Sequence, residues 1–318
     1  MQESGTVPES ATVDRLCALL PGLSGALRER AAIVREIRLR AGKPPQLVCG
    51  DEDTLSGPPL EPGTIARVLS ALLDHSLYAR EDELAQGFFT LADGARVGVC
   101  GRLLTDGGHI GGMASVGSLC VRVSRQIPGC ADALLPLVIG DGAPRSLLIA
   151  SVPGMGKTTC LRELARRLSD GGLRVAIADE RHELAACRDG VPTLDVGART
   201  DVMDGGPKAL SITRLIRAMA PRVIVTDEIG GPGDADSLRE AVRCGVTVIA
   251  SAHGESLDAL SGRAAISPLL REGVFYTIAL LADEPGKIGA IHRREKAKDG
   301  TWRYVMADDL DQWMLMDA

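Results

Sequence analysis

A glycine-rich segment that ends in lysine and two threonines carries the residue types best suited to holding phosphates. Its members are Ser151, Val152, Pro153, Gly154, Met155, Gly156, Lys157, Thr158 and Thr159. The main-chain N–H groups of such a loop, at the start of a helix, can surround phosphate oxygens. The ammonium of Lys157 is expected to reach the β- and γ-phosphates of ATP, and the hydroxyl of Thr158 to bind Mg²⁺. The segment therefore predicts a phosphate-binding loop in which residues 153–159 contact the nucleotide.

The residues on either side of this segment have the pattern that a phosphate-binding loop requires. An apolar run at 146–150 predicts a buried parallel strand, and 160–168 predicts an amphipathic helix that ends at Gly171-Gly172. A chance Gly-Lys-Thr turn, the alternative, would need neither neighbour. The motif usually has glycine at the position of Ser151, and serine restricts the backbone more than glycine does. We expect nucleotide binding to survive this departure.

Two adjacent carboxylates, Asp227 and Glu228, are the expected partners of the loop. They follow the apolar run 223–226 and lie seventy residues after Lys157. We expect Asp227 to hold the Mg²⁺ shell and Glu228 to polarise the attacking water. A second carboxylate beside the metal-binding one is needed by a hydrolase and not by a mere binder. The alternative is a turn at the end of a strand with two solvated acids.

Two further polar sites follow predicted strands and therefore fall at the same edge of a parallel sheet. The first is Asp179-Glu180-Arg181, in which either Glu180 positions water or Mg²⁺-bound solvent, or all three form a solvated charge cluster. The second is His253, which either senses the γ-phosphate and reports it to a neighbouring subunit, or is a plain loop residue. A lone histidine is more often a plain loop residue, but the position of His253 at the end of a strand favours the sensor; for Glu180 both interpretations stay open.

Phosphoryl transfer also favours an additional cation near the transition state. The spacing of the arginines does not select one residue, and an arginine in such a position is more often an ordinary surface charge. The candidates are Arg38, Arg40, Arg122, Arg125 and Arg199.

The pattern of predicted elements changes along the 318-residue chain, which is long enough for two domains. Residues 1–33 predict two short helices, 12–20 and 24–33, after a disordered start, with Pro21-Gly22 as the break between them and Ser24 as a cap. Residues 34–140 predict a smaller α+β domain with an antiparallel sheet. Its expected elements are strands at 34–40, 46–49 and 118–124, helices at 62–73 and 80–86, a hairpin at 88–99 with an Asp93-Gly94 turn, and a glycine-rich connector at 105–112.

Residues 141–318 alternate between strands and helices, which predicts an α/β domain with a parallel sheet. Ligands of such sheets bind at the carboxyl ends of the strands, where several of the notable polar residues fall. Besides the strand and helix around the phosphate loop, the expected elements are strands at 174–179, 222–227, 246–251 and 274–282, helices at 207–220 and 234–244, tail strands at 288–293 and 302–305, and a helix at 308–316.

Composition narrows the classes of function. The chain is 45% hydrophobic and only 3% aromatic, and its formal net charge is −6. The acidic balance and the lack of aromatic platforms argue against nucleic-acid binding. The eight cysteines show no zinc-ligand spacing and are typical of a reducing compartment. No apolar run approaches 18 residues, so a role at a membrane would require a partner that holds the protein there.

Beyond the single motifs, an ordered set of segments resembles a known family. The set consists of Ile37-Arg38-Leu39-Arg40, Tyr78-Ala79, the hairpin at 87–101, residues 153–159, Asp179-Glu180-Arg181, Asp195-Val196-Gly197-Ala198-Arg199-Thr200-Asp201-Val202, Asp227-Glu228-Ile229-Gly230 and Ala252-His253-Gly254. It is similar to the stage III sporulation protein AA family of spore-forming bacteria, which is similar in turn to the secretion ATPases of type II and type IV systems and to pilus motors. The resemblance spans about residues 34–293, and residues 195–202 with the Asp-Glu-Arg triplet are its specific parts.

The resemblance implies a recA-like P-loop ATPase domain behind a smaller N-terminal domain, assembled as a hexamer. It implies a cytoplasmic position in the mother cell, peripheral to the membrane, at the base of a channel complex to the forespore. Glu180 falls where secretion ATPases have an acidic box and His253 where they have a histidine box, but their arginine positions are not matched cleanly. Three functions follow for comparison: an ATP hydrolase that drives or gates an export complex, a nucleotide-gated scaffold with little turnover, and a nucleic-acid translocase, which the composition disfavours.

Overall fold

The chain divides into two compact units, residues 1–126 and 127–318. The structure, a computed structural model, describes residues 10–50, 52–74, 84, 87–106, 109–140 and 143–307. Residues 1–9 of the start predicted to be disordered (1–11), Tyr78-Ala79 and the predicted helices at 80–86 (apart from residue 84) and 308–316 lie outside the described residues, whereas Ala11 is already the first residue of a helix. Sequence reasoning placed the division at about 140, whereas residues 127–140 group with the second unit. The reason is that Ala131, Leu134, Leu137 and Val138 are buried in the core of that unit.

The first unit contains the antiparallel sheet that the sequence predicts. Its strands are β1 (Val34–Arg40), β2 (Gln46–Cys49), β3 (Glu52–Leu55), β4 (Phe88–Thr90), β5 (Arg96–Asp106) and β6 (His109–Arg122). They lie in the order β3-β2-β1-β6-β5-β4. The described helices of this unit are α1 (Ala11–Leu19), α2 (Pro21–Glu29) and α3 (Thr64–Leu72). Buried residues of β1, such as Ile37 and Leu39, share one core with apolar residues of all three helices.

The start of α2 differs from the prediction. The sequence predicts a break at Pro21-Gly22 and a cap at Ser24, but α2 begins at Pro21 and includes Ser24. Proline is tolerated in the first helical turn because the N–H it lacks would have no intrahelical partner there, and its fixed φ suits that position. The predicted end of the first helix is therefore confirmed, since α1 ends at Leu19 and Leu20 is not helical, whereas the predicted cap at Ser24 is wrong because the proline itself starts the second helix.

The glycine-rich connector predicted at 105–112 is also wrong, because most of that segment belongs to two long paired strands. β5 and β6 pair antiparallel from Arg96 opposite Arg122 to Asp106 opposite His109. The ladder is made by backbone groups, so glycines can join it without giving the side-chain alternation that marks a strand in the sequence. β3 was missed for a related reason: all four of its residues are exposed, and no apolar alternation is left to detect.

The second unit is an eight-stranded sheet with the order β11-β10-β12-β13-β9-β14-β15-β16, beside a two-stranded ribbon of β7 and β8. The strands are β7 (Ile139–Gly140), β8 (Ala143–Pro144), β9 (Leu147–Ser151), β10 (Val175–Asp179), β11 (Thr200–Asp204), β12 (Val223–Thr226), β13 (Thr247–His253), β14 (Thr277–Leu281), β15 (Ile288–Lys296) and β16 (Trp302–Ala307). The helices are α4 (Leu135–Val138), α5 (Lys157–Asp170), α6 (Lys208–Met219), α7 (Pro232–Arg243), α8 (Leu257–Ser261) and α9 (Ser267–Arg271).

The first six strands in this spatial order, which begins with β11 and reaches β14, are parallel to one another. The two tail strands, β15 and β16, are antiparallel to their neighbours. The central strands of this sheet are buried on both faces. Along β9, Leu147 and Ile149 lie in one hydrophobic core, while Leu148 and Ala150 lie in a second core. A strand that is covered on both faces has a continuous run of apolar residues, which explains why β9 could be predicted.

The carboxyl ends of four neighbouring strands meet at one edge of this sheet. β9, β10, β12 and β13 end at Ser151, Asp179, Thr226 and His253. Since β13 and β9 are parallel neighbours, His253 lies directly opposite Ser151. The residues that follow these ends are therefore brought together, as sequence reasoning expects for a parallel sheet. Within the described ranges, no helix has the length and apolar character that crossing a membrane requires.

Candidate functional site

The predicted phosphate-binding loop connects the end of β9 to the start of α5. Gly154 and Gly156 have φ angles of 82° and 80°, in the left-handed region that favours glycine. Ser151, at the position where the motif usually has glycine, lies outside that region and is buried at the end of β9. The serine is thus accommodated without backbone strain. Val152, Pro153 and Gly154 are exposed, which leaves the loop open to a ligand.

The loop is held in place by the turn before β15 and by helix α5. The carbonyl of Met155 accepts a 2.9 Å hydrogen bond from the N–H of Gly286, which fixes the loop to the turn before β15. Thr158 and Thr159 belong to the first turn of α5, which begins at Lys157. The helix N-terminus therefore points its unpaired N–H groups toward the loop, as an anion site requires.

The ammonium of Lys157 is buried and held by neutral oxygens. Its Nζ donates to the carbonyl of Ser151 at 3.1 Å, to Ser151 Oγ at 3.0 Å and to the carbonyl of Val152 at 3.0 Å. In the described part of the chain Lys157 forms no ion pair. Burial lowers the pKa of Lys157, and the nearby charges of Asp227 and Glu228 partly oppose this. A buried cation without a bonded carboxylate fits a site that receives an anionic ligand.

The predicted Mg²⁺ ligands, Thr158 and Asp227, are in direct contact. Thr158 Oγ1 donates to Asp227 Oδ2 at 2.7 Å. The other carboxylate oxygen of Asp227 accepts from the hydroxyl of Ser251 and, at 2.8 Å, from the N–H of Glu228. A hydroxyl and a carboxylate side by side are the oxygen donors that Mg²⁺ prefers, so these residues fit the predicted ion.

Glu228 lies between two basic side chains. Its carboxylate contacts Arg181 Nη1, and Glu228 Oε1 lies 3.3 Å from His253 Nε2. The backbone of Glu228 is left-handed, with a φ of 41°. Its N–H donates to Ser251 Oγ at 3.0 Å. A non-glycine residue in this conformation persists only where its surroundings hold it, so the backbone at Glu228 is fixed.

His253 connects the lysine of the loop to the second acid. Its Nδ1 lies 3.5 Å from Lys157 Nζ, and its Nε2 faces Glu228. An ammonium can only donate, so Nδ1 is the acceptor and Nε2 carries the proton toward the carboxylate. The structure thus places His253 within reach of both groups that sequence reasoning assigns to ATP chemistry.

The residues of the Asp179-Glu180-Arg181 triplet have three different environments. Asp179 is buried and accepts hydrogen bonds from the N–H groups of Glu183, Leu184 and Ala185, while burial raises its pKa. Glu180 is half exposed and lies 3.8 Å from Lys208 Nζ. Since Arg181 contacts Glu228, the triplet is not a uniform solvated cluster.

Of the five arginines proposed as the extra cation, Arg199 belongs to the second unit, and it does not lie at this edge of the sheet. Arg199 precedes β11, and its carbonyl accepts from the N–H of Val175 at the start of β10, so it lies at the opposite end of the strands. The other four candidates belong to the first unit. There, Arg38 and Arg122 pair with Glu36, Arg40 donates to Gln46, and Arg125 donates to the carbonyls of Ala31 and Val34.

Sequence reasoning missed three residues that contact the site. Arg181 was considered only as part of the triplet, and Ser251 only as the end of a predicted strand. Lys208 is buried at the start of α6, and its Nζ donates to the carbonyl of Glu228 at 2.5 Å. The position of Ser251 at a strand end was a usable signal, whereas no motif or spacing pointed to Lys208.

Comparison with solved structures supports the fold. The chain is similar to the ATPase DotB of Yersinia pseudotuberculosis, with a TM-score of 0.55 and 14% identity over 94% of this chain and 81% of that chain. It is also similar to the pilus retraction motor PilT with bound ADP, with a TM-score of 0.54 and 14% identity over 91% of this chain and 84% of that chain. Identities this low show the fold alone: a P-loop NTPase α/β domain with a mostly parallel sheet, preceded by a smaller α+β domain, as predicted.

Comparison of the sequence with known proteins identifies the family, which the comparison of structures does not. The profile of the family described as sporulation stage III, protein AA matches residues 23–298. Stage III sporulation protein AA of Bacillus subtilis (strain 168) is 36% identical over 269 residues, which cover 82% of this chain and 87% of that protein. The resemblance inferred from the motifs is thereby confirmed. Because both matches extend over most of its length, the chain belongs to the sporulation stage III protein AA family.

Proposed function

We propose that the protein binds Mg²⁺-ATP at the carboxyl edge of the second sheet and hydrolyses it to ADP and phosphate. The observation that carries this proposal is the meeting of four groups there. The ammonium of Lys157 and the paired oxygens of Thr158 and Asp227 lie at one end of the site. The carboxylate of Glu228 reaches the same lysine through His253.

In this mechanism, Lys157 leaves the oxygens of Ser151 and Val152 and binds the β- and γ-phosphates. Thr158 and Asp227 would hold Mg²⁺, which supplies positive charge to the phosphate oxygens. Glu228 orients a water whose oxygen bonds to the γ-phosphorus as the bond to the ADP oxygen breaks, and its carboxylate accepts the proton of that water. His253, which faces both Lys157 and Glu228, is suited to transmit the state of the γ-phosphate.

Release of phosphate from ATP tests this proposal. We expect wild-type protein to release phosphate only with Mg²⁺. Lys157→Ala should lose both nucleotide affinity and turnover. Glu228→Gln should keep nucleotide affinity and lose turnover by about 10²- to 10⁴-fold, the usual contribution of a general base. Wild-type phosphate release no greater than that of the two variants would refute hydrolysis at this site.

Family membership and fold support a wider proposal for the role of this hydrolysis. We infer that it energises or gates an export or channel complex between mother cell and forespore, with the protein assembled as a homo-oligomer, a hexamer, on the cytoplasmic side. A partner protein would hold it at the membrane. One nucleotide state would favour one arrangement of the two domains and the other state a second arrangement, which is how binding energy becomes movement.

A nucleotide-gated scaffold is the second candidate function. It is favoured by the contacts of Glu228 with Arg181 and His253, which occupy the carboxylate that hydrolysis needs. Such a protein would assemble when ATP binds and would dock its membrane partner without turnover. Solution mass measured beside phosphate release, with and without Mg²⁺-ATP, separates the two. ATP-dependent assembly with no phosphate above the variants would establish the scaffold.

A further inference from the structure

We propose that Lys208 is a positioning residue for Glu228, whose peptide it holds in the orientation that directs the carboxylate into the site. This inference rests on the proposed hydrolysis of ATP. Lys208 is the first residue of α6 and is only 5% exposed. Its Nζ donates a 2.5 Å hydrogen bond to the carbonyl oxygen of Glu228.

The location of Lys208 is unfavourable for a lysine by general physical criteria. An ammonium is strongly hydrated, and lysine is among the residues least often buried. Lys157 and Lys208 are the two buried lysines in the part of the chain that the structure describes. A cation in the first turn of a helix also faces the positive end of the helix dipole. Helix stability therefore does not explain a lysine at this position. The contacts that its ammonium makes do explain it.

The ammonium of Lys208 joins three segments that end or begin at the site. Its Nζ lies 3.8 Å from Glu180 Oε2, after β10, and 3.8 Å from Asp234 Oδ2, in the first turn of α7. Asp234 Oδ2 in turn accepts from the N–H groups of Gly230 at 3.0 Å and Gly231 at 2.8 Å. One buried charge thus binds the Glu228 carbonyl directly and orders the next peptides through Asp234.

The left-handed backbone of Glu228 explains why such support is needed. With a φ of 41°, this residue is in a conformation that its own steric preferences disfavour. Ser251 Oγ holds the N–H of Glu228, and Lys208 holds its carbonyl, so both neighbouring peptide groups are fixed. If the carbonyl were released, the residue could relax and the carboxylate would turn away from the phosphates. Displacement of a reacting group by about 1 Å can lower turnover by about 100-fold.

Removal of the charge with little change in side-chain length, Lys208→Met, tests the proposal. We expect kcat for ATP to fall about 10- to 100-fold while KM changes less than about twofold, because the phosphate contacts are untouched. The melting temperature should equal or exceed that of wild type, since Asp234 keeps its two N–H partners and Glu180 is solvated. Lys298→Met, at an exposed lysine, is the matched control and should match wild type in all three measurements.

A double mutant separates positioning from a general structural role. If Lys208 acts through Glu228, Lys208→Met should cause no further loss of turnover in a Glu228→Gln background. An additional loss there of the same size, or a wild-type kcat in the single variant, would overturn the proposal. If Lys208→Met does not fold, Lys208→Gln replaces it, with the same expected split between kcat and KM.

Hydrogen exchange provides a measurement that does not depend on turnover. The amides of residues 229–231 should exchange faster in Lys208→Met than in wild type, because the Glu228 peptide and Asp234 lose their common partner. Unchanged exchange would overturn the positioning role. If wild type hydrolyses no ATP, the proposed function fails, and the exchange comparison still decides whether Lys208 holds the Glu228 segment.

Discussion

The hydroxyl of Thr158 donates a 2.7 Å hydrogen bond to the carboxylate of Asp227. The two residues are 69 positions apart in the chain, and the parallel sheet brings them together because β9 and β12 flank β13. Under the proposed function, these two oxygens would be ligands of Mg²⁺ at the start of α5. The contact therefore joins the loop that is expected to hold the phosphates to the acids that are expected to support hydrolysis.

Removal of the threonine hydroxyl should weaken the effect of Mg²⁺ on nucleotide binding. In Thr158→Ala, we expect the gain in ATP affinity on adding Mg²⁺ to fall by at least about tenfold, since a hydrogen bond or ligand bond to a charged group is worth about 1.5–3 kcal/mol. Titration of a fluorescent ATP analogue with Mg²⁺ and with EDTA measures this gain. Thr158→Ser keeps the hydroxyl and should resemble wild type. An undiminished gain in Thr158→Ala would exclude this hydroxyl as a ligand.

The serine at the first position of the phosphate loop should weaken ATP binding. Ser151 Oγ accepts from Lys157 at 3.0 Å, and this bond must break when the ammonium moves to the phosphates. In Ser151→Ala, we expect ATP to bind about fivefold more tightly, which corresponds to one hydrogen bond of about 1 kcal/mol. Ser151→Gly should act in the same direction. Weaker binding in both variants, measured by the same titration, would mean that the hydroxyl assists the bound state.

The buried Lys157 should make ATP binding sensitive to alkaline pH. Burial lowers its pKa from 10.5, so the nucleotide-free protein loses this proton at a lower pH than an exposed lysine does. Phosphates favour the charged form of Lys157. As the pH is raised, the affinity for ATP should therefore begin to fall before pH 10.5 is reached, and ATP binding in that pH range should be accompanied by uptake of a proton. Calorimetry in buffers of different ionisation enthalpy measures the uptake. Lys157→Arg stays charged and should show neither effect.

The parts of the site that lie on continuous buried strands could be predicted from sequence. Every residue of β9 and β10 is buried, so each strand appears as an apolar run, and the polar residue at its end marks the sheet edge. The acids 227–228 and His253 were found in the same way. These predictions depend on local patterns that the parallel sheet preserves.

The residues that could not be predicted depend on contacts between segments that are distant in sequence. Lys208 follows Pro207 in an ordinary helix start, and only the folded chain shows that its ammonium meets the carbonyl of Glu228. Arg181 resembles any surface arginine until the turn after β10 places it beside Glu228. Local spacing contains no information on such contacts, which is why the arginine candidates named from sequence did not include it.

Asp179, the last residue of β10, and Glu180, which follows it, should differ sharply in their effect on stability. The carboxylate of Asp179 is 2% exposed and accepts three main-chain hydrogen bonds, from Glu183 at 2.9 Å, Leu184 at 3.0 Å and Ala185 at 2.8 Å. Asp179→Ala would leave the two buried donors, the N–H groups of Leu184 and Ala185, without a partner, and each unsatisfied group costs about 1–3 kcal/mol. We therefore expect the free energy of unfolding to fall by about 2–4 kcal/mol.

Glu180→Ala is the matched control for Asp179→Ala. Its carboxylate is 45% exposed and lies 3.8 Å from Lys208, so removal should change the free energy of unfolding by no more than about 0.5 kcal/mol. Urea unfolding of the three proteins measures both differences. Equal losses in the two variants would contradict the distinct environments assigned to the two acids. A loss of ATP turnover in Glu180→Ala without loss of stability would instead place Glu180 in the chemistry of the site, because its carboxylate would then act on the reaction and not on the fold.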